Sequence, residues 1–138
     1  MEIIYPMFAM FALTMFVVFR MAYLRFTAAK SGQINPRFFK TYDGYDEPEH
    51  LRVISRHSIN LYEMPVLFYV AGMLILQTGQ TGALTLSLAW AYVGLRYVHS
   101  YIHLTSNKLI HRFRVFVLGC LALIALWLTL IVRVMTAG

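Results

Sequence analysis

Four polar side chains recur at helical spacing along an otherwise apolar segment: Arg52, Arg56, Asn60 and Glu63. At about 100° per residue they fall within about 80° of one another on a helix. Arginine holds a carboxylate through paired hydrogen bonds, and a glutamate suits an ammonium group. Charged groups at membrane depth are costly and normally face protein or water. The stripe must therefore be satisfied by a partner, and we expect function there.

A second set of polar residues lies further along the chain, on the segment from Ala83 to His103 and in the turn that follows it. Its residues fall into two rows, with Arg96, His99, Ser100, His103 and Asn107 within about 60° and Tyr97, Tyr101 and Lys108 about 100–140° away. A lone helix bundle has one interior. The second row therefore predicts contact with a neighbouring subunit.

The elements that carry these residues are predicted to be transmembrane helices. The chain of 138 residues is 59% hydrophobic, only 13% of it is charged, and its mean hydropathy is +0.63. Four stretches can cross about 30 Å of hydrocarbon. We predict one domain over residues 1–138, all-α, an integral membrane antiparallel four-helix bundle. The predicted helices span about 3–25, 51–77, 83–106 and 111–135, with a cytoplasmic loop over 26–50.

The net charge of +6 reflects topology rather than a nucleic-acid partner. Eleven of the twelve Lys and Arg residues lie near the first and third connections, and only Arg133 lies at the other end. The positive-inside rule then places those connections in the cytoplasm and both termini outside it. No cleavable signal is evident, because no basic stretch precedes the first apolar run. Short loops and the lack of a sorting signal favour a multi-pass protein of a bacterial inner membrane.

Two motifs resemble those of the MAPEG family, membrane-associated proteins of eicosanoid and glutathione metabolism. The segment Arg56-x3-Asn60-x2-Glu63, followed by Pro65, resembles the second-helix signature of a bacterial-type member. The segment Arg96-Tyr97-x3-Tyr101 resembles the third-helix signature. The four-helix layout, the long first cytoplasmic connection and the chain length are also similar. The resemblance implies a homotrimer that binds glutathione at its subunit interfaces, on the cytoplasmic side.

The same resemblance implies roles for individual residues. The implied glutathione contacts are Arg56, Asn60, Glu63, Tyr97 and Tyr101. The chain differs from the family pattern at two positions: Met64 stands where a tyrosine is common, and Lys108 replaces the arginine credited with activating the thiol. A free thiol has a pKa of about 8.5, and a nearby cation or hydroxyl donor lowers it. The candidate catalytic residues are accordingly Lys108, Tyr101 and Arg112.

These residues favour a glutathione-dependent membrane enzyme, a transferase or a peroxidase. Glutathione would be the cosubstrate, and a lipophilic electrophile or hydroperoxide would reach the thiolate from the bilayer. The alternative is a non-catalytic MAPEG-like module that binds a lipid or a partner protein. Lys108 and the histidine-rich face of the third helix favour that alternative, possibly with a histidine-based site.

Structural explanations of the same residues stay open. Glu63 could pair with Arg96 across the bundle, and Asn60 could bridge two helices. His99 and His103 lie at i, i+4, a usable spacing for two metal ligands, and two more histidines, His57 and His111, lie near the same membrane level. Two histidines without a local third ligand are a weak signal, so no metal ligand is assigned. The single cysteine, Cys120, is expected to be a packing residue.

Overall fold

The computed structural model describes residues 2–44 and 46–137, and its regular elements are all α-helices. In chain order the helices are α1 (Ile4–Lys30), α2 (Phe38–Thr41), α3 (Glu49–Thr78), α4 (Ala83–Leu104) and α5 (Leu109–Ala137). The prediction of an all-α protein is confirmed. Short turns over 79–82 and 105–108 join α3 to α4 and α4 to α5, as expected of antiparallel neighbours.

Within the described residues, three helices are long and apolar enough to cross a membrane: Ile4–Lys30, Glu49–Thr78 and Leu109–Thr136. Helix α4 has 22 residues, which extend about 33 Å at 1.5 Å per residue. Its buried polar residues, including Arg96 and His99, lower its hydropathy. That α4 is a fourth span therefore stays a prediction from its length and its place between two spanning helices.

Helix α1 runs five residues beyond the predicted end at 25 and stops at Lys30. No helix breaker interrupts the segment after Arg25, so the backbone continues until Ser31-Gly32, where Gly32 has a φ of 75°. Helix α3 begins directly after Pro48 with Glu49 in its first turn, where an acidic side chain suits the helix dipole. It ends at Gly79, whose φ of 68° is a left-handed conformation that favours glycine.

The connection between α1 and α3 folds against the helix ends. Phe38 of the short helix α2 is buried in a small cluster with Ala28 and Leu51. The guanidinium of Arg25 lies 5.2 Å from the ring centre of Phe39. These contacts hold aromatic residues of the connection against the ends of α1 and α3. Tyr45, in the same connection, lies outside the described residues.

The core lies between the long helices, with the most extensive packing between α4 and α5. Helices α1 and α3 approach closely at Gly72, where an added Cβ would come within 2.6 Å of the sulfur of Met7. Small residues permit such close approach between membrane helices. Phe68 of α3 stacks on Tyr92 of α4 with ring centres 4.8 Å apart. This packing fixes the rotation of α4 and so decides which of its polar residues face inward.

Candidate functional site

The inward face of α4 centres on Arg96, which is only 2% exposed. Its Nε donates a hydrogen bond to the Tyr92 hydroxyl at 3.1 Å, and its Nη1 donates to Oδ1 of Asn60 at 2.8 Å. The guanidinium also lies 5.3 Å from the ring centre of Phe116 on α5. Asn60 thus bridges α3 and α4, as one structural explanation predicted. Since its Oδ1 is occupied, Asn60 offers its NH2 group as a donor to any further partner.

The predicted pairing of Glu63 with Arg96 is wrong, because Arg96 bonds to Asn60 instead. Arg56 and Glu63 are both exposed, and neither side chain forms a hydrogen bond or an ion pair with another described residue. Counted from Glu49 at 1.5 Å per residue, they lie about 10 Å and about 21 Å along α3. Two charged groups therefore project outward from α3, a helix long and apolar enough to cross a membrane.

The outward face of α4 carries the two tyrosines of the third-helix motif. Tyr97 is 42% exposed and Tyr101 is 71% exposed. The Tyr97 hydroxyl donates a hydrogen bond to the backbone oxygen of Ala9 on α1 at 2.9 Å. The Tyr101 hydroxyl has no such partner among the described residues. Tyr101 is consequently the tyrosine whose hydroxyl proton remains available to a ligand.

Both tyrosines line a cavity of about 480 Å³ between α1 and α4, which we call the α1–α4 groove. Its lining is mostly apolar, with Arg20 at one end, and comprises Ala12, Leu13, Phe16, Arg20, Tyr97, Ser100, Tyr101, Leu104 and Thr105. The sequence offered no specific signal for Arg20, since a basic residue near a helix end is also what topology requires. Its position in the groove becomes visible only once α1 and α4 are packed.

A second cavity, of about 350 Å³, lies among α3, α4 and α5, and we call it the α3–α5 cavity. Its lining is strongly basic and comprises Val53, Arg56, Asn60, His99, His103, Asn107, Leu109, Arg112, Phe113 and Phe116. Arg112 is half-buried, and its Nη1 donates to Oδ1 of Asn107 at 2.7 Å. The same Nη1 lies 3.3 Å from Nε2 of His103.

The residues predicted to bind glutathione therefore divide between two faces of one protomer. Arg56 and Asn60 line the α3–α5 cavity, and Tyr97 and Tyr101 line the α1–α4 groove. Glu63 is exposed and lines neither. The candidate catalytic residues divide in the same way. Arg112 lies in the cavity, Tyr101 lies in the groove, and Lys108 is exposed in the turn before α5 and lines neither.

Three of the five histidines in the sequence form a buried cluster. The ring centres of His57, His99 and His103 lie 4.7–5.8 Å apart, and Nε2 of His57 is 2.9 Å from the Ser100 hydroxyl. His111 is exposed and lies outside the cluster. Over residues 2–44 and 46–137, no group of three or more His, Cys, Asp or Glu side chains is arranged to hold a metal ion. The sequence placed His57 and His111 at the membrane level of His99 and His103, and the structure brings His57 into contact with them but not His111.

Comparison with protein families gives one match that spans nearly the whole chain. The model described as the MAPEG family matches residues 3–132. Comparison with curated proteins gives no match, and comparison with solved structures gives none either. The family match covers both α3, with its exposed charges, and α4, with its two polar faces.

Proposed function

The chain belongs to the MAPEG family of glutathione-related membrane proteins, and from that premise we propose that it is a glutathione-dependent membrane enzyme. It conjugates glutathione to a lipophilic electrophile or reduces a lipophilic hydroperoxide. Glutathione binds between the protomers of a homotrimer, near the cytoplasmic boundary of the membrane.

The observation that carries this proposal is the pair of exposed charges on α3. Arg56 and Glu63 project from the protomer without an internal partner. A charged group in contact with lipid tails is costly, so such side chains face protein or water. Glutathione offers carboxylates for Arg56 and an ammonium group for Glu63. A zwitterionic guest held against α3 therefore satisfies both.

The division of the site residues supports a location between protomers. Within one protomer Arg56 and Tyr101 line different cavities. If the α1–α4 groove of one protomer faces α3 of its neighbour, Tyr97 and Tyr101 lie opposite Arg56, Asn60 and Glu63. A ring of three copies repeats this head-to-tail contact and closes it. All five binding residues then contribute to each of three identical sites.

The chemistry requires a thiolate beside a lipophilic substrate. The free hydroxyl of Tyr101 can donate a hydrogen bond to the sulfur, and Lys108 and Arg112 supply positive charge near the cytoplasmic end of the bundle. Both effects favour the thiolate. The apolar lining of the α1–α4 groove suits a substrate that enters from the bilayer. In conjugation, the thiolate sulfur attacks the electrophilic carbon, a thioether forms and the leaving group departs as an anion. In peroxide reduction, the sulfur attacks the terminal peroxide oxygen, the O–O bond breaks to give the alcohol after protonation, and a second glutathione converts the resulting sulfenic acid to the disulfide and water.

The direct test is a calorimetric titration of the full-length protein, purified in a neutral detergent, with glutathione up to millimolar concentration. The proposal predicts saturable binding with one site per protomer. Absence of binding at millimolar glutathione would overturn it. The oligomeric state of the same sample, measured by light scattering corrected for detergent, should be a trimer.

A non-catalytic role is the second candidate, and the replacement of the activating arginine by Lys108 favours it. Lys108 is exposed, and its side chain forms no hydrogen bond or ion pair with the described residues. The two candidates differ in turnover with a model electrophile such as a chlorodinitrobenzene. An enzyme shows a rate that falls sharply in Lys108→Ala, whereas a binding module retains glutathione affinity without measurable turnover.

A further inference from the structure

The turn between α4 and α5 is organised around Asn107. Its backbone has a φ of 46°, a left-handed conformation that asparagine adopts more readily than most residues other than glycine. Its N–H donates a hydrogen bond to the backbone oxygen of Ile102 at 2.8 Å, and the Thr105 hydroxyl donates to the backbone oxygen of Tyr101 at 2.6 Å. These bonds fix the turn, and with it the half-buried side chain of Asn107.

The side chain of Asn107 holds Arg112, which lies in the first turn of α5. Nη1 of Arg112 donates a hydrogen bond to Oδ1 of Asn107 at 2.7 Å and lies 3.3 Å from Nε2 of His103. A guanidinium can only donate, so His103 also accepts from Arg112. One acceptor from α4 and one from the turn therefore fix the guanidinium at the wall of the α3–α5 cavity.

Both acceptors are neutral, which distinguishes this contact from an ion pair. Asn107 offers an amide oxygen, and His103 accepts through Nε2, as only a neutral imidazole can. Arg112 forms no hydrogen bond or ion pair with a carboxylate of the described residues. A carboxylate at position 107 would hold the guanidinium as well but would cancel most of its field. The contact therefore fixes the position of Arg112 and keeps its charge available.

The position of Arg112 is not explained by helix stability or by topology. The helix dipole favours negative charge at the amino end of a helix, so a cation in the first turn of α5 is disfavoured. A basic residue required only by topology needs no fixed side chain. Lys108 and Arg114 are exposed, and neither side chain forms a hydrogen bond or an ion pair with the described residues. Of these three cations, only Arg112 is half-buried and held in place.

We propose that Asn107 is a positioning residue that acts through Arg112. The inference rests on the proposed function, in which Arg112 favours the thiolate of glutathione. Asn107 Oδ1 holds the guanidinium in the cavity that Arg56 and Asn60 also line, and it leaves the positive charge uncancelled. The thiol proton passes to water, and the charge of Arg112 stabilises the sulfur anion that remains. Asn107 itself contacts no atom of glutathione in this step.

Two substitutions of Asn107 separate the position of Arg112 from its charge. Asn107→Gly removes the acceptor and keeps the turn, because glycine adopts a positive φ without steric cost. Asn107→Asp keeps an acceptor and a residue type that tolerates this φ, but it adds a carboxylate beside the guanidinium. The first variant releases Arg112, and the second neutralises it. Both should therefore raise the pKa of the bound thiol while the protein stays folded.

The measurement is the pKa of the glutathione thiol bound to the full-length protein in a neutral detergent, read from the ultraviolet absorbance of the thiolate in a pH titration. It needs no turnover, so it applies to an enzyme and to a binding module alike. Each Asn107 variant should raise this pKa by about half a unit to one unit, a loss of thiolate of about three- to tenfold. A purely structural role predicts the wild-type value in Asn107→Asp, because that variant keeps both the turn and the acceptor.

Ser106→Asp is the matched control. It adds the same charge at a neighbouring exposed position whose side chain forms no hydrogen bond with the described residues. An exposed charge is screened by solvent, so the thiol pKa should stay at the wild-type value. A double-mutant cycle then tests the route through Arg112. In an Arg112→Gln background, Asn107→Gly should raise the thiol pKa no further.

The wild-type thiol pKa in either Asn107 variant would overturn the inference. An equal rise in Ser106→Asp would do the same, because the effect would then be one of net charge, and so would a further rise in the double variant. Absence of glutathione binding by the wild type would overturn the proposed function and this inference with it. The two failures are distinguishable, since the inference fails alone only when the wild type binds glutathione. If Asn107→Gly does not fold, the comparison of Asn107→Asp with Ser106→Asp decides.

Discussion

Both faces of α4 carry polar side chains, but these side chains differ in burial and in their hydrogen-bond partners. On the inward face Arg96 is 2% exposed and bonds to Tyr92 and Asn60. On the outward face Tyr101 is 71% exposed and its hydroxyl bonds to no described residue. Buried polar groups must be paired, so the inward face helps to determine the fold. The outward face contributes little to the protomer and remains available to a ligand or a neighbour.

Of the substitutions that distinguish the two faces of α4, Arg96→Ala is expected to have the largest effect on stability. The substitution removes two hydrogen bonds from a charged donor, and it leaves the half-buried Asn60 oxygen and the buried Tyr92 hydroxyl without this partner. We expect a loss of at least about 3 kcal/mol in the free energy of unfolding. Denaturant titration in detergent measures this loss. Tyr101→Ala, on the outward face, is the control, and it should lower the free energy of unfolding by less than about 0.5 kcal/mol. Equal losses in the two variants would contradict the division between the faces.

Substitution of an outward charge on α3 should affect binding and leave stability unchanged. Arg56→Gln removes the guanidinium proposed to hold a glutathione carboxylate. The loss of a charge-assisted pair of hydrogen bonds should weaken glutathione binding by about 10- to 100-fold, as measured by calorimetry.

Arg52→Gln is the matched control, since Arg52 lies one turn earlier on α3 and is also exposed. It should retain the affinity of the wild type. If both variants lose affinity equally, the effect is one of net charge, and Arg56 has no specific contact with the ligand. If neither loses affinity, α3 does not hold the carboxylate.

The two rows on α4 were predictable because helical periodicity is local. Arg96 and His99 lie on one side of the helix, and Tyr97 and Tyr101 lie on another. This follows from the helical period alone and does not depend on which helices pack against α4. The structure places the first row inside the protomer and the second row outside. All-α architecture followed equally directly from four long apolar stretches. The end of α1 was missed by five residues, because no terminating signal occurs before Ser31-Gly32.

The partners of the inward residues could not be predicted, since they depend on how the helices rotate against each other. Glu63 and Asn60 lie within one stripe of α3, and sequence alone does not decide which meets Arg96. The rotation of α3 against α4 in the structure brings Asn60 to Arg96 and leaves Glu63 exposed. In the same way His57 joins His99 across two helices, whereas His111, close to both in membrane level, does not.

A smaller effect is expected from Tyr101, the outward tyrosine whose hydroxyl donates to no described residue. Tyr101→Phe removes one hydrogen-bond donor to the proposed thiolate, so the pKa of bound glutathione should rise. We expect kcat/KM to fall about tenfold at neutral pH and to recover partly in alkaline buffer. Tyr62→Phe is the control, since Tyr62 is exposed on α3. A fall that does not change with pH would indicate a positional role for Tyr101 rather than an effect on the thiol.

The last prediction asks whether the outward faces of two protomers meet. Arg56→Gln weakens the α3 half of each site, and Tyr101→Ala weakens the α4 half, so activity is measured at a low glutathione concentration at which each variant alone shows none. Co-expressed in equal amounts, the two inactive chains should form mixed trimers in which about a quarter of the sites combine an intact α3 half with an intact α4 half from the neighbour. Transferase activity should then return to about that fraction of wild type. A site built within one protomer would show no recovery, because every chain carries a defect; recovery therefore requires that Arg56 and Tyr101 act across a subunit boundary.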